Sequence, residues 1–333
     1  MKNKVLFICK KRITDYGETV GLINSSKFIS SFLNSIGTES SVAEAIDGNC
    51  IDRFVTEYSP TIVIIEALWV TPSKLKELYT LHQDKQWVVR VHSKLPFLAQ
   101  EGNAIEWIKE YVNIGHYGWL TIAPNTKELT NQFIKYFDKD IFECLENIYE
   151  IKTINSTSKN PSIFINVGCF GAIRPLKNQL SQALAAIEFG KSVNRKINFH
   201  INANRVEQRG ESTLKNMRSL FEGTSNNLIE HEWYDQEDFL KVIKTMDIGM
   251  QVSLTESFNL VTADFVSQRI PIIVGEDIEW MPDFTKVVPT DYSEIVVRLK
   301  DAYKNPKCYG RRSFKKLEAF TKNAKKQWEM FVK

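Results

Sequence analysis

Short apolar runs alternate with helix-like segments along the chain, and this alternation constrains the fold more than any other feature. In the first half we predict strands at Val5–Cys9, Ser40–Ala43, Thr61–Leu68, Trp87–His92 and Leu120–Ala123, with helices near Ser26–Leu33, Ile51–Tyr58, Ser73–Thr80, Ala104–Val112 and Thr126–Phe137. A β-α alternation predicts a parallel sheet with helices on both faces.

The alternation stops at the polar stretch Glu150–Ser162, which contains Pro161, and then begins again. The second set of strands is predicted at Ile163–Val167, Ile197–Ile201, Leu228–His231, Ile248–Val252 and Pro271–Val274, with helices near Gln179–Phe189, Thr213–Phe221, Gln236–Lys244 and Leu260–Ser267. A length of 333 residues suits two domains. We therefore predict an α/β protein of two doubly wound domains, residues 1–150 and 151–310, that face each other across a ligand-binding cleft, followed by a C-terminal helix at 311–333.

Composition excludes several classes of protein. With 43% hydrophobic and 25% charged residues, the chain is neither disordered nor fibrous. Its five cysteines are scattered and odd in number, which argues against a disulfide framework or a zinc knuckle. The first apolar run, Val5–Cys9, is too short for a signal peptide or a membrane span, so a cytoplasmic protein is expected.

Positive charge is concentrated at the C-terminus. The net charge is only +3, yet residues 304–333 contain ten Lys or Arg and two acids, Glu318 and Glu329. Apolar residues recur there at spacings of three or four, which predicts an amphipathic helix with its cations outward. The cations form either an ordinary solvated face or a surface for a polyanion such as nucleic acid or anionic lipid.

Two loops of the first half contain candidate ligand groups. The stretch "CKKRITDYGETVGLINSS" after the first strand has Gly17 and Gly21 but lacks the spacing of a dinucleotide fingerprint and a Walker lysine. His92 follows the fourth strand, with Arg90 two residues earlier. His92 either satisfies local backbone groups or donates to a polar ligand in the cleft.

The second domain begins with "INVGCFGAIRPLKNQLSQAL", in which a strand leads into Gly168 and Gly171 and then Arg174 and Lys177 precede a helix. Backbone N–H groups at a helix start and two cations suit a diphosphate. The alternative is that both cations are ordinary surface residues.

The stretch "LTESFNLVTADFVSQRIPIIV" places Glu256 in a loop after a strand and Asp264 about one turn into the next helix. The amides near Phe258, Asn259 and Leu260 at the helix start suit phosphate oxygens, and the carboxylates suit sugar hydroxyls. Phosphates and hydroxyls together indicate a nucleotide sugar. Alternatively, the acids only favour the helix N-terminus.

These residues resemble a known family: "ESFNLVTADFVSQRIPIIV", "GAIRPLKN" and "VRVHS" look like the retaining GT-B glycosyltransferases of family 4, which have two Rossmann-like domains. The resemblance covers the second domain well, and the first mainly through His92. It implies that Glu256 and His92 contact the donor sugar, Asp264 the ribose, and Arg174, Lys177 and the amides of Phe258 to Leu260 the diphosphate. We also assign Gly171 to donor binding. The family normally has Glu where this chain has Asp264, and its two phosphate-binding cations normally lie further apart.

The resemblance also implies a retaining reaction without a metal or other cofactor, in which the leaving phosphate accepts the acceptor's proton. The one D-x-D stretch, Asp138–Asp140, precedes the predicted linker and is interpreted as a solvated helix end.

A narrower resemblance concerns the acceptor. The stretches "RVHSKLPFLAQEGNAIEWI" and "IIEALWVTP" are similar to glycosyltransferases of large tailed phages, including those that attach arabinose or a related sugar to 5-hydroxymethylcytosine in phage DNA. It implies a UDP-sugar donor, such as UDP-arabinose or UDP-glucose, and double-stranded DNA as partner in the host cytoplasm. We assign acceptor binding to Lys10, Lys11, Arg12, Tyr16 and Gly17. The alternatives are transfer to a surface polysaccharide or lipid-linked sugar, or a non-catalytic binding protein.

Overall fold

The computed structural model describes residues 3–11, 13–14, 17–18, 20–115, 117–152 and 162–333. The chain divides into two units, each with its own sheet. Unit 1 consists of residues 1–150 and 321–333, and unit 2 of residues 151–320. The linker predicted at residues 150–162 falls mostly on residues 153–161, which lie outside the described residues.

Unit 1 contains a parallel five-stranded sheet. Its strands are β1 (Lys4–Lys10), β4 (Glu39–Ala45), β5 (Ile62–Glu66), β6 (Gln86–Val91) and β7 (Leu120–Pro124), in the spatial order β4-β1-β5-β6-β7, and a separate two-stranded ribbon is formed by β2 (Ile13–Thr14) and β3 (Gly17–Glu18). The helices are α1 (Val20–Ser35), α2 (Cys50–Tyr58), α3 (Pro72–Leu81), α4 (Leu95–Leu98), α5 (Ala104–Gly115) and α6 (Lys127–Phe137). Residues of β1, β5 and β6 form the centre of the core, where Val63 and Val89 are fully buried.

Unit 2 contains a parallel six-stranded sheet in the order β10-β9-β8-β11-β12-β13, the order of a dinucleotide-type α/β fold. Its strands are β8 (Phe164–Gly168), β9 (Lys196–Asn202), β10 (Asn227–His231), β11 (Ile248–Gln251), β12 (Ile272–Gly275) and β13 (Lys286–Val287). The helices are α7 (Gln179–Ser192), α8 (Glu211–Phe221), α9 (Gln236–Thr245), α10 (Leu260–Ser267), α11 (Tyr292–Lys304) and the first part of α12 (Pro306–Phe331). The structure thus confirms the prediction of two α/β domains, each with a parallel sheet.

The strand orders locate where each sheet accepts a ligand. In open α/β sheets, ligands bind beyond the carboxyl ends of the strands where the strand order reverses. In unit 2 this point lies between β8 and β11, and in unit 1 between β1 and β5. The loop after β8 contains Arg174 and Lys177, and the loop after β11 contains Glu256.

The last helix, α12, begins at Pro306 and not at Arg311. Residues up to Phe320 belong to unit 2 and residues from Thr321 to unit 1. Within unit 2, Phe320 stacks on Phe258 with ring centroids 5.3 Å apart; within unit 1, Trp328 Nε1 donates to the Glu146 carbonyl at 2.8 Å. We name the ten exposed cations of this region the basic face: Lys304, Lys307, Arg311, Arg312, Lys315, Lys316, Lys322, Lys325, Lys326 and Lys333.

Two further features bear on the sequence predictions. Asp138 is the left-handed C-cap of α6, and the Asp138–Asp140 stretch is exposed there. In the described part of the chain, no helix combines the length and the apolar character that crossing a bilayer requires.

Candidate functional site

The loop after β8 is built around Gly171. Its φ of +113° lies in the region that favours glycine, and its N–H donates to Asn202 Oδ1 at 3.0 Å. A Cβ on Gly171 would lie 4.0 Å from Lys177 Nζ, so the lysine side chain folds back over this glycine. The Lys177 ammonium therefore lies beside the buried Gly171 turn.

Lys177 pairs with Glu256 of the loop after β11. Lys177 Nζ donates to Glu256 Oε1, and each side chain is only 11% exposed. Burial raises the pKa of Glu256, but Lys177 and Arg174 outweigh burial and hold that pKa below its usual range. Burial, with Arg174 as a lesser cause, lowers the pKa of Lys177 although Glu256 opposes the shift.

Arg174 belongs to the same cluster. It influences the pKa of both Lys177 and Glu256, and its Nη1 lies 3.6 Å from Glu207 Oε2. The four residues Gly171, Arg174, Lys177 and Glu256, together with the first turn of α10, are named the switch-point site below. Sequence reasoning selected all four, but it did not predict the ion pair.

The first turn of α10 is fixed by Asn259. Its side chain accepts from the Thr262 N–H at 2.8 Å, and its Nδ2 donates to Gln251 Oε1 at 2.9 Å. Gln251 Nε2 in turn donates to the Phe170 carbonyl at 2.9 Å, which ties the helix start to the Gly171 loop. Leu260 begins the helix, where the first N–H groups have no intrahelical acceptor.

Two of the predicted donor residues lie in the interior. Phe258 is 2% exposed and stacks on Trp280 with ring centroids 5.6 Å apart, so its side chain belongs to the core. Asp264 is 6% exposed in α10, four residues after Leu260. Its contact with a ribose stays a prediction.

Further hydrogen bonds join the two loops of the switch-point site. Leu254 N–H donates to the Leu176 carbonyl at 2.9 Å, and Asn178 Nδ2 donates to the Val252 carbonyl at 3.2 Å. Asp277 Oδ2, beyond β12, accepts from the Glu256 N–H at 3.4 Å. Glu256 is thus held by its backbone and by its side chain.

In unit 1, His92 is part of a buried charged cluster. His92 Nε2 contacts Glu66 Oε2, and Arg90 Nη1 donates to both oxygens of Glu66 at 2.9 and 3.1 Å. Burial raises the pKa of Glu66, but Arg90 and then His92 outweigh it and lower that pKa to about 2. Burial lowers the pKa of His92, with Arg90 adding to the effect, so a neutral imidazole faces an ionised carboxylate.

Sequence reasoning missed Glu66. The signal was available, because Glu66 is the one charged residue at the carboxyl end of the apolar strand Ile62–Glu66. Arg90 is fully buried and also donates to the Leu145 carbonyl at 2.9 Å and to Asn147 Oδ1 at 2.7 Å. Its first role is therefore structural, as the counter-ion of Glu66.

The predicted acceptor residues fall partly outside the described chain. Arg12 and Tyr16 are not among the described residues. Lys10 is exposed, with its Nζ 5.9 Å from the centre of the Trp69 ring, and the Lys11 N–H donates to the Ala45 carbonyl at 2.8 Å. Gly17 pairs with Thr14 in the β2–β3 ribbon. Acceptor binding by these residues stays a prediction.

No family model and no curated protein matches the sequence. Solved structures do match. One is a variant of S. aureus TarM in complex with fondaparinux, α-GlcNAc-glycerol and UDP, at 15% identity and a TM-score of 0.63, over 81% of this chain and 55% of TarM. The chain therefore spans about half the length of TarM.

Two other matches extend over nearly the whole of both chains. The UDP-forming α,α-trehalose-phosphate synthase of Burkholderia vietnamiensis has 11% identity and a TM-score of 0.71, over 100% of this chain and 96% of its own. The E. coli trehalose-6-phosphate structure bound with UDP-2-fluoro glucose has 11% identity and a TM-score of 0.67, over 99% and 98%. The fold is thus that of the GT-B glycosyltransferases, as the sequence resemblance implied.

Proposed function

We propose that the chain is a glycosyltransferase that takes its sugar from a nucleoside diphosphate donor, a UDP-sugar. The observation that carries this proposal is the switch-point site, where Lys177 pairs with Glu256 beside Arg174, and Gln251 ties the start of α10 to the Gly171 loop. Two proteins of the same fold are found with UDP or a UDP-sugar analogue. A diphosphate fits the cations and the amides, and a sugar hydroxyl fits the carboxylate.

In this proposal, Arg174, Lys177, the Gly171 turn and the Leu260 amide hold the diphosphate. Glu256 accepts hydrogen bonds from the donor sugar, which requires Lys177 to exchange part of its contact with Glu256 for a phosphate oxygen. The family resemblance assigns a donor-sugar contact to His92 and a ribose contact to Asp264.

The reaction breaks the bond between the anomeric carbon and the phosphate oxygen and forms a bond to the acceptor hydroxyl. The departing phosphate takes the acceptor's proton, so no separate side-chain base is needed, and the sugar keeps its anomeric configuration. Charge that develops on the leaving diphosphate is stabilised by preorganised cations and amides. This scheme requires no metal.

For the acceptor, we propose 5-hydroxymethylcytosine in double-stranded DNA, as the phage resemblance suggests. The basic face supports it, because ten exposed cations on one chain segment can neutralise phosphates of a polyanion. The modified base would leave the duplex stack to meet the donor.

The deciding experiment incubates the protein with a panel of nucleotide sugars and matched duplexes that contain cytosine or 5-hydroxymethylcytosine, and analyses the nucleosides by mass. Sugar addition to the hydroxymethylated duplex alone supports the proposal. Labelling of neither duplex with any donor contradicts the DNA acceptor, whereas release of UDP without transfer still supports a glycosyltransferase.

A polyol-type or polysaccharide acceptor is the second candidate, because TarM of the same fold is found with α-GlcNAc-glycerol. The basic face would then meet anionic lipid or an anionic polymer. Co-sedimentation with acidic liposomes, compared with retention on DNA across a salt series, distinguishes the two acceptors.

A further inference from the structure

Four polar side chains of unit 2 form one hydrogen-bonded row that the proposed reaction does not use. His200 Nε2 lies 3.3 Å from Asn166 Oδ1, His200 Nδ1 lies 2.8 Å from His231 Nε2, and His231 Nδ1 lies 3.1 Å from the Tyr234 hydroxyl. We name this row, Asn166–His200–His231–Tyr234, the histidine relay. It crosses from β8 through β9 to the loop after β10.

The neighbours of Asn166 fix the direction of the relay. Asn166 Nδ2 donates to the Thr245 carbonyl at 3.4 Å, and Asn166 Oδ1 accepts from Asn198 Nδ2 at 2.9 Å. Asn166 therefore presents an acceptor to His200, so His200 Nε2 carries a hydrogen. Burial lowers the pKa of His200 to about 3, and burial also lowers the pKa of His231.

Two neutral imidazoles leave one arrangement of hydrogens. Each has a single N–H. With its hydrogen on Nε2, His200 accepts at Nδ1 from the Nε2–H of His231. His231 then has a bare Nδ1, which accepts the hydroxyl hydrogen of Tyr234. The Tyr234 oxygen is left with only lone pairs for any further partner.

Tyr234 lies in a loop that is tied to the diphosphate end of the switch-point site. Asn202 accepts from the Gly171 N–H at 3.0 Å and donates through Nδ2 to the Glu232 carbonyl at 2.9 Å. The next residue, Trp233, lies under the Arg205 guanidinium, which is 4.8 Å from the ring centre. The Asn202 side chain therefore bridges the Gly171 turn and the loop after β10, in which Trp233 offers an aromatic face and Tyr234 a hydroxyl.

We propose that the histidine relay holds the Tyr234 hydroxyl as a hydrogen-bond acceptor that selects a donor nucleotide whose pyrimidine carries an N–H, uracil, over cytosine. This inference rests on the proposed use of a nucleoside diphosphate donor. Uracil has an N–H at N3 that can donate to Tyr234, whereas the bare N3 of cytosine would face the tyrosine lone pairs. UDP and CDP are otherwise nearly the same size, so hydrogen bonding alone separates them.

The first test measures binding of UDP and CDP to the full chain and to Tyr234→Phe, with Tyr292→Phe in the exposed start of α11 as the matched control. The wild type and the control are expected to prefer UDP by roughly tenfold, the effect of one hydrogen bond gained against a repulsive contact. Tyr234→Phe removes both the bond to UDP and the repulsive contact with CDP, so it should bind UDP more weakly and CDP somewhat more tightly, and the preference should fall to within about twofold. An unchanged preference in Tyr234→Phe overturns this inference and leaves the glycosyltransferase proposal standing.

The second test needs no nucleotide. The chain has five histidines, so ¹⁵N shifts of the imidazoles can be assigned by single substitutions. The relay requires His200 and His231 to be neutral at pH 7, both with hydrogen on Nε2. A hydrogen on Nδ1 of either ring overturns the relay, whatever the binding results. If the relay is present but no nucleoside diphosphate binds the wild type, then the proposed donor and the base selection both fail.

Discussion

Lys177 and Glu256 neutralise each other where little water reaches either side chain. A buried ion pair is weak evidence for stability, because desolvation offsets much of the attraction, whereas removing one partner leaves the other charge buried and unpaired. This pair connects the loop after β8 with the loop after β11, and Arg174 adds a second positive charge close by. In the proposed function, this pair receives a phosphate at its cationic side and a sugar hydroxyl at its acidic side.

The first prediction concerns the carboxylate. Replacing Glu256 by Gln keeps the size of the side chain and removes its charge, so transfer and donor hydrolysis should be lost while UDP still binds through the cations. The comparison is with Glu188→Gln in the exposed part of α7, which should retain full activity. Activity of Glu256→Gln close to that of the wild type would contradict the assignment.

The second prediction concerns the cation. Lys177→Met keeps the aliphatic stem and removes the ammonium, so calorimetry should show UDP affinity lower by about 1.5–3 kcal/mol, the value of a hydrogen bond to a charged group. Lys191→Met, at an exposed position of the same region, provides the control. Equal UDP affinity in both variants would mean that the diphosphate binds elsewhere.

At the scale of elements, the strand and helix patterns could be predicted because each apolar run is short and is followed by a distinct amphipathic segment. Leu260–Ser267 was predicted with the bounds it has, and the predicted helix Ile51–Tyr58 begins one residue earlier, at Cys50. The helix α11 was not predicted. The two-residue strand β13 was not predicted either, because the apolar run around Val287 is too short to signal a strand.

The candidate site could be predicted only in part. Residues that follow strands, such as Lys177 and Glu256, are visible in sequence because parallel strands place their carboxyl ends at one edge. The strand order decides which of these residues pair with each other. That order brings β11 next to β8, so Lys177 meets Glu256 although 79 positions separate them in the sequence. The Glu66 cluster and the histidine relay were missed for the same reason.

The third prediction concerns the start of α10. Asn259 combines a φ of +56° with a cap bond to Thr262 and a bond to Gln251. Asn259→Ala loses these bonds and keeps the unfavourable φ, so the free energy of unfolding should fall by about 1–3 kcal/mol. Asn259→Gly loses the same bonds but relieves the backbone, and should lose less in denaturant unfolding. Equal losses in the two variants would show that the backbone conformation contributes nothing.

At the scale of the whole molecule, each unit contains buried imidazoles that stay neutral. Burial is the first cause of the lowered pKa of His92 in unit 1 and of His200 and His231 in unit 2. As pH falls below the ordinary histidine value of 6.5, the unfolded chain takes up protons that the folded chain refuses, so acid destabilises both units. Glu66, with its pKa lowered to about 2, adds a further loss as pH falls from 4.5 toward 2.

The last prediction uses this linkage to test the environment of one relay histidine. A proton bound only by the unfolded chain changes the free energy of unfolding by about 1.4 kcal/mol per pH unit. Since the pKa of His200 falls from 6.5 to about 3, its contribution acts throughout that interval, and His200→Gln should reduce the slope of stability against pH between pH 6 and 4. Denaturant unfolding across the pH series measures the slope, which is independent of any loss that His200→Gln causes at pH 7. A slope equal to that of the wild type would show that His200 takes up its proton in the folded state as readily as in the unfolded chain.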